Sequence, residues 1–139
     1  MAIAQMNWGR MLHPLDDPRM REFADRLDAV YRLAEAASGF IWRIDEAQLT
    51  ADLSKLGYDP LTSATVSTWR TMEDLKRYTY ETEHGEFLKR TGEWFEAVEG
   101  PQLVIWPVEP SEQPGFMEAQ LRLDYLKRHG PSDYAHGWC

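Results

Sequence analysis

An α+β fold is what the sequence predicts, and three observations predict it. Three short stretches alternate apolar and polar side chains with a period of two and a fourth is a near-continuous apolar run, helical periodicity fills the gaps after the first and third of the four, and glycine or proline punctuates most of the junctions. The order is strand, helix, strand, strand, helix, strand. That is the ferredoxin-like βαββαβ pattern, in which a four-stranded antiparallel sheet carries both helices on one face. At 139 residues the chain reads as one domain, with a core over 1–110 and a C-terminal helix and tail over 111–139.

The first strand spans Ala2 to Arg10, placing Ile3, Gln5, Asn7 and Gly9 on one side and Ala4, Met6 and Trp8 on the other. One of its faces is mixed polar, which a purely structural core strand does not need. Asp17 before Pro18 supplies a capping acceptor and a preset first helical residue, and Phe23, Leu27, Val30 and Ala34 mark the buried side of the first helix. Gly39 closes it. Phe40 to Ile44 forms the second strand, with Phe40, Trp42 and Ile44 facing one way and Ile41 and Arg43 the other. Residues 45–62 are acidic and irregular, containing Gly57, Asp59 and Pro60, and read as a long connection with at most a helical turn over 51–56. Connections of this length often border a functional opening.

The third strand runs from Ala64 to Arg70, with Thr65, Ser67 and Trp69 on one face. Thr71 and Asp74 fit a capping box that opens a helix predicted to continue to Phe95, carrying Tyr80, His84, Phe87, Leu88, Trp94 and Phe95, with an irregularity near His84-Gly85. Gly100-Pro101 ends it, and Leu103 to Val108 is an apolar strand of the kind covered on both faces. A last helix extends from Phe116 to about Arg128, with Glu118/Arg122 and Asp124/Arg128 as exterior charge pairs. Tyr134 and Trp138 in the tail predict that it docks.

Composition narrows the functional classes. Acidic residues outnumber basic ones 23 to 15, giving a formal charge of -8 with no basic patch, which excludes nucleic acid and anionic membrane surfaces as partners. The one cysteine, Cys139, permits no internal disulfide, and no stretch resembles a leader or a membrane span, so a soluble cytoplasmic protein is expected. Helices on a single sheet face would leave the other bare. That predicts a homodimer pairing through the open sheet face, because an uncovered aromatic-rich sheet exceeds the apolar patch of an ordinary monomer.

Several phrases together resemble one family. Ala4-Gln5-Met6-Asn7, Leu15-Asp16-Asp17-Pro18-Arg19-Met20, Gly39-Phe40-Ile41-Trp42-Arg43, Ser67-Thr68-Trp69, Glu93-Trp94-Phe95 and His129-Gly130-Pro131-Ser132 resemble the bacterial family catalogued as domain of unknown function 3291. The resemblance implies a place in the dimeric α/β-barrel superfamily, which includes cofactor-free, antibiotic-biosynthesis-type monooxygenases and haem proteins. It thereby implies a dimer and a pocket between sheet and helices, and no particular reaction. The ending Tyr134-Ala135-His136-Gly137-Trp138-Cys139 departs from the family's pattern.

His84 heads the chemical candidates. An imidazole titrates near neutrality and can take a phenolic proton, it can ligate haem iron in an apolar pocket, or it can merely satisfy a carbonyl at a helix irregularity. Asn7 and Gln5 are amides on one strand face, and Asn7 is the candidate for stabilising developing negative charge. Ser67 and Tyr80, with Trp42, Trp69, Trp94 and Trp106, are candidates to line a pocket for a flat hydrophobic or aromatic molecule. His129, His136 and Cys139 match no standard zinc site, so no metal is expected. No phosphate loop, nucleophile elbow or helical histidine pair occurs, which removes NTP-dependent, serine-hydrolase and zinc-protease chemistry. Three readings stand: a cofactor-independent monooxygenase, a non-catalytic ligand- or haem-binding dimer, and a structural dimer with no pocket.

Overall fold

The computed structural model describes residues 1–138; the side chains of Glu83 and Phe87 and the whole of Cys139 lie outside the described residues, and with them the expectations for Phe87 and Cys139. An open antiparallel sheet of four strands and five α-helices make an α+β fold. β1 (Ala2–Arg10) sits between β3 (Thr62–Trp69) and β4 (Leu103–Val108), and β2 (Phe40–Arg43) pairs with the outer side of β3, giving the order β2-β3-β1-β4.

α1 (Arg21–Ala36) is entered through a 3-10 turn over Pro18–Met20, where the Asp17 carboxylate accepts from the Arg19 backbone N–H at 2.8 Å. Gly39 beyond its end has φ of +87°, as its sequence position predicts, and a side chain there would collide with the Asp74 carboxylate.

Two elements differ from expectation. Residues 46–55 form a ten-residue helix, α2 (Glu46–Lys55), capped by Asp45 and burying Leu49 and Leu53 one turn apart. Gly57, Asp59 and Pro60 punctuate only the short connection from α2 to β3. The long helix predicted from Thr71 to Phe95 is broken into α3 (Met72–Glu81), α4 (Glu83–Leu88) and a 3-10 turn over Thr91–Glu93. Thr82 is extended at the first break, with its hydroxyl donating to the Tyr78 carbonyl and accepting from the His84 N–H. Gly85 makes the join possible, since a Cβ there would lie 2.5 Å from the Tyr80 carbonyl oxygen.

The sheet has two covered faces. On one, Ala4, Met6, Val66, Val104 and Trp106 are buried against α2 and α5 (Phe116–His129), through Leu49, Leu53, Phe116, Ala119 and Leu123. On the other, Trp69 and Ile105 meet Ala34 of α1 and Leu75 and Tyr78 of α3. The bare face argued for from sequence is therefore absent, because α2 and α5 of the same chain occupy it, and a sheet-to-sheet pairing would have to displace them. Along α5, Glu118 and Arg122 pair at 3.0 Å, but Arg122 is not exterior: it also donates to the Tyr134 carbonyl at 2.9 Å and lies over the Tyr134 ring. Asp124 accepts from Gln120. The tail docks as expected, His136 making two backbone hydrogen bonds with Ile105 of β4.

A bulge in β2 alters the predicted alternation. Phe40 lies opposite Trp69, yet Trp42 lies opposite Thr68 and Arg43 opposite Ser67, so Ile41 is one residue too many for a regular ladder. Trp42 thereby turns to the α2/α5 side, and Phe40 and Arg43 share the α1/α3 side.

Candidate functional site

A cavity of about 760 Å3 lies between the α1/α3/α4 layer and the sheet. Its floor is set by strand register. Arg43, Ser67 and Gln5 are successive cross-strand neighbours, Thr65, Asn7 and Leu103 form the next row, and Phe40 and Trp69 border the first. Apolar side chains of α1, including Leu27 and Val30, make the roof together with Tyr31, Tyr78 and His84.

The polar floor is internally bonded. Asn7 Nδ2 donates to Gln5 Oε1 at 3.0 Å, Gln5 Nε2 donates to Ser67 Oγ at 2.8 Å and to Thr65 Oγ1 at 3.3 Å, and Trp69 Nε1 donates to Ser67 Oγ at 2.9 Å. Gln5 and Ser67 are buried, whereas Asn7 is exposed. Hydrogen bonding explains how a buried amide is tolerated on an otherwise apolar sheet.

His84 lies against this cavity, its ring 4.9 Å from that of Tyr78. Nδ1 is 3.1 Å from the Thr79 carbonyl, which can only accept, so the neutral ring carries its proton on Nδ1. Its other nitrogen then has a free lone pair and, among the described residues, no partner. Burial lowers the His84 pKa, partly opposed by the Thr79 hydrogen bond, so the neutral form prevails at pH 7.

Tyr78 stacks on Trp69 with centroids 5.1 Å apart and donates to the Val30 carbonyl at 3.2 Å; burial pushes its hydroxyl well above the usual range. Tyr31 is pushed up to about 12 by burial and by the negative charge of Glu46. Arg43 lies over the Tyr31 ring at 4.4 Å. At the tail side, Trp138 packs on Tyr80 at 5.7 Å and lines the same space.

Six expected residues thus share one cavity: Gln5, Asn7, Ser67, Trp69, Tyr80 and His84. Three do not. Trp42 is turned away by the β2 bulge and Trp106 is buried beneath α5. Trp94, coming after the 3-10 turn instead of continuing a helix, packs with Met11, Met20 and Phe23 under Arg90.

The family model described as Domain of unknown function (DUF3291) matches residues 2–139. The chain belongs to the DUF3291 family. Searches of curated proteins and of solved structures each found no significant match. In this DUF3291 domain the lining residues that sequence reasoning passed over include Arg43, Tyr31, Tyr78, Thr65 and Trp138. Thr65 shares the predicted face of Ser67 and was legible from alternation; Arg43 was not, because its side depends on the bulge. Among the described residues of the DUF3291 domain, no group of three or more His, Cys, Asp or Glu side chains is placed to hold a metal ion, and no helix is long and apolar enough to cross a membrane.

Proposed function

We propose that this DUF3291 domain, ferredoxin-like in the order of its elements, binds a flat hydrophobic or aromatic small molecule between sheet and helices and uses His84 as a proton acceptor toward it. One observation carries the reading: a 760 Å3 space, within the range of small-molecule sites, holds a neutral imidazole with a bare ring nitrogen beside an aromatic wall and a bonded amide-hydroxyl floor. The chemistry such a site supports is cofactor-independent monooxygenation. His84 removes a proton from a phenol-activated CH2 substrate, and the resulting carbanion or phenolate reduces dioxygen. One oxygen atom enters the ring as a carbonyl, and the other leaves as water with the two hydrogens lost. Asn7, at the exposed end of the floor, is positioned to donate to the developing oxyanion.

Ligand titration followed by tryptophan fluorescence tests the binding, because Trp69 and Trp138 line the cavity. Anthrone-like and hydroquinone-like compounds are expected to quench it, and oxygen uptake with the same compounds is expected to fall at least about a hundredfold in His84→Ala. Oxygen uptake that is unchanged by the substitution removes His84 from the reaction. Failure of every flat aromatic probe to bind removes the pocket reading itself.

A second reading is favoured by the same tautomer. A histidine whose Nδ1–H is held by a carbonyl presents Nε2 to a metal, so His84 is the residue that would hold haem iron, and the haem would supply the redox chemistry. A Soret band on titration with haemin, lost in His84→Ala, selects this reading over the first.

A further inference from the structure

The floor of the cavity contains two hydrogen-bond donors that the protein does not use. Ser67 Oγ already accepts from Gln5 Nε2 and from Trp69 Nε1, so both of its lone pairs are taken. Its own proton must therefore be donated, and among the described residues no group accepts it. Directly across the ladder stands Arg43, whose side chain is 23% exposed. Its Nε is buried without a hydrogen bond, the Glu35 carboxylate standing 3.9 Å away, and among the described residues its one hydrogen bond is a long one, 3.3 Å, to the Ile44 carbonyl. Opposed residues on one sheet face have Cβ atoms about 5 Å apart, so both side chains enter the cavity from neighbouring points, the guanidinium lying over the Tyr31 ring at 4.4 Å.

We infer that the ligand of this pocket is a flat apolar monocarboxylate, with its carboxylate between Arg43 and the Ser67 hydroxyl and its ring system on Phe40, Trp69 and Tyr78. This rests on the proposed pocket and specifies what fills it. A planar guanidinium is the natural partner of a carboxylate, and an added hydroxyl donor fits one of its remaining lone pairs. A single negative charge suits the place better than a dianion. Glu35 near Arg43 and Glu46 at the same end of the cavity already contribute negative potential, so one cation has little to spare for a second charge. The bulge at Ile41 supports the same conclusion: without it, regular alternation would turn Trp42 rather than Arg43 toward the cavity.

The test compares 2-naphthoate with 2-naphthamide, matched in shape and differing in charge, by calorimetry or tryptophan quenching at low salt. Wild type is expected to bind the naphthoate at least about tenfold more tightly. Arg43→Met, which keeps the side-chain length, is expected to abolish that preference, chiefly by weakening the naphthoate, and Ser67→Ala to reduce it severalfold. If Arg43→Met does not fold, as judged by circular dichroism, the wild-type comparison decides alone. Equal affinities in wild type, or tighter binding of the amide, overturn the carboxylate assignment and leave the pocket standing. No binding of either naphthalene, nor of the matching anthracene pair, overturns the pocket and the assignment together.

Discussion

His84 links stability to pH with a sign that its burial dictates. Its pKa in the folded state is lowered from 6.5, so the unfolded chain binds the extra proton first, and stability that is complete above about pH 6.5 is lost as pH falls through the folded value. Urea unfolding between pH 7.5 and 5 is expected to show this decline, and His84→Gln is expected to flatten it. Carboxylates held low by arginine partners, such as Glu22 and Glu93 beside Arg90, add their own loss only in more acidic solution, so the two windows separate. Thr68 makes the opposite kind of prediction. It is fully buried on the α2/α5 face, and its hydroxyl has no hydrogen-bond partner among the described residues. Thr68→Val is therefore expected to be neutral or to stabilise by about 1 kcal/mol in thermal or urea melts, since it removes a desolvated polar group at constant shape. At this scale the sequence was informative where alternation holds: Gln5, Asn7, Ser67 and Trp69 share the side that counting by twos assigns them. It was uninformative about Trp94 and Arg43, because a broken helix and a bulged strand reset the count before those residues are reached.

Among the elements, α2 was the one read as irregular, although its signals were present. Asp45 is an N-cap, Leu49 and Leu53 are spaced by one turn, and Gly57 stands just beyond the end. The acidic composition and the nearby Asp59-Pro60 obscured them. Leu53→Ala is expected to destabilise by about 2–4 kcal/mol, and Asp45→Ala by about 1 kcal/mol, measured by denaturant midpoint at constant slope. Were 46–55 an unstructured connection, both would be silent. The break between α3 and α4 has its own reporter in Gly85. Adding a methyl group there forces it against the Tyr80 carbonyl, so Gly85→Ala is expected to cost on the order of 1–3 kcal/mol and, on the proposed reading of the cavity, to weaken ligand binding by shifting His84. The periodicity from Leu75 to Phe95 could not disclose this break, because Thr82 and Gly85 are each tolerable in a continuous helix. They interrupt it here through a tertiary arrangement that seats the imidazole over Tyr78.

For the whole molecule, the decisive feature is that one sheet serves two layers. The α2/α5 side is filled with side chains, and the α1/α3/α4 side retains a hollow. Light scattering is expected to return the 16.2 kDa mass of a single chain at micromolar concentration, since no apolar sheet face is left open. A two-chain mass would point instead to the outer side of α5, where Met117, Leu121 and Tyr125 are exposed at four-residue intervals, and Leu121→Glu would dissociate it. The order of strands and helices was legible because each carries its own period; which layer covers which face was not, because it depends on where α2 and α5 come to rest. The surplus residue in β2 has a last implication for reading related chains. Position 41 sets the parity of the strand: in a chain one residue shorter there, plain alternation would keep the aromatic out of the hollow and the guanidinium in it, whereas the full set of residues paired without a bulge would exchange the two. Aligning such a shorter chain would then call for the gap at position 41 itself, since a gap opened after Trp42 would pair side chains from opposite sides of the sheet.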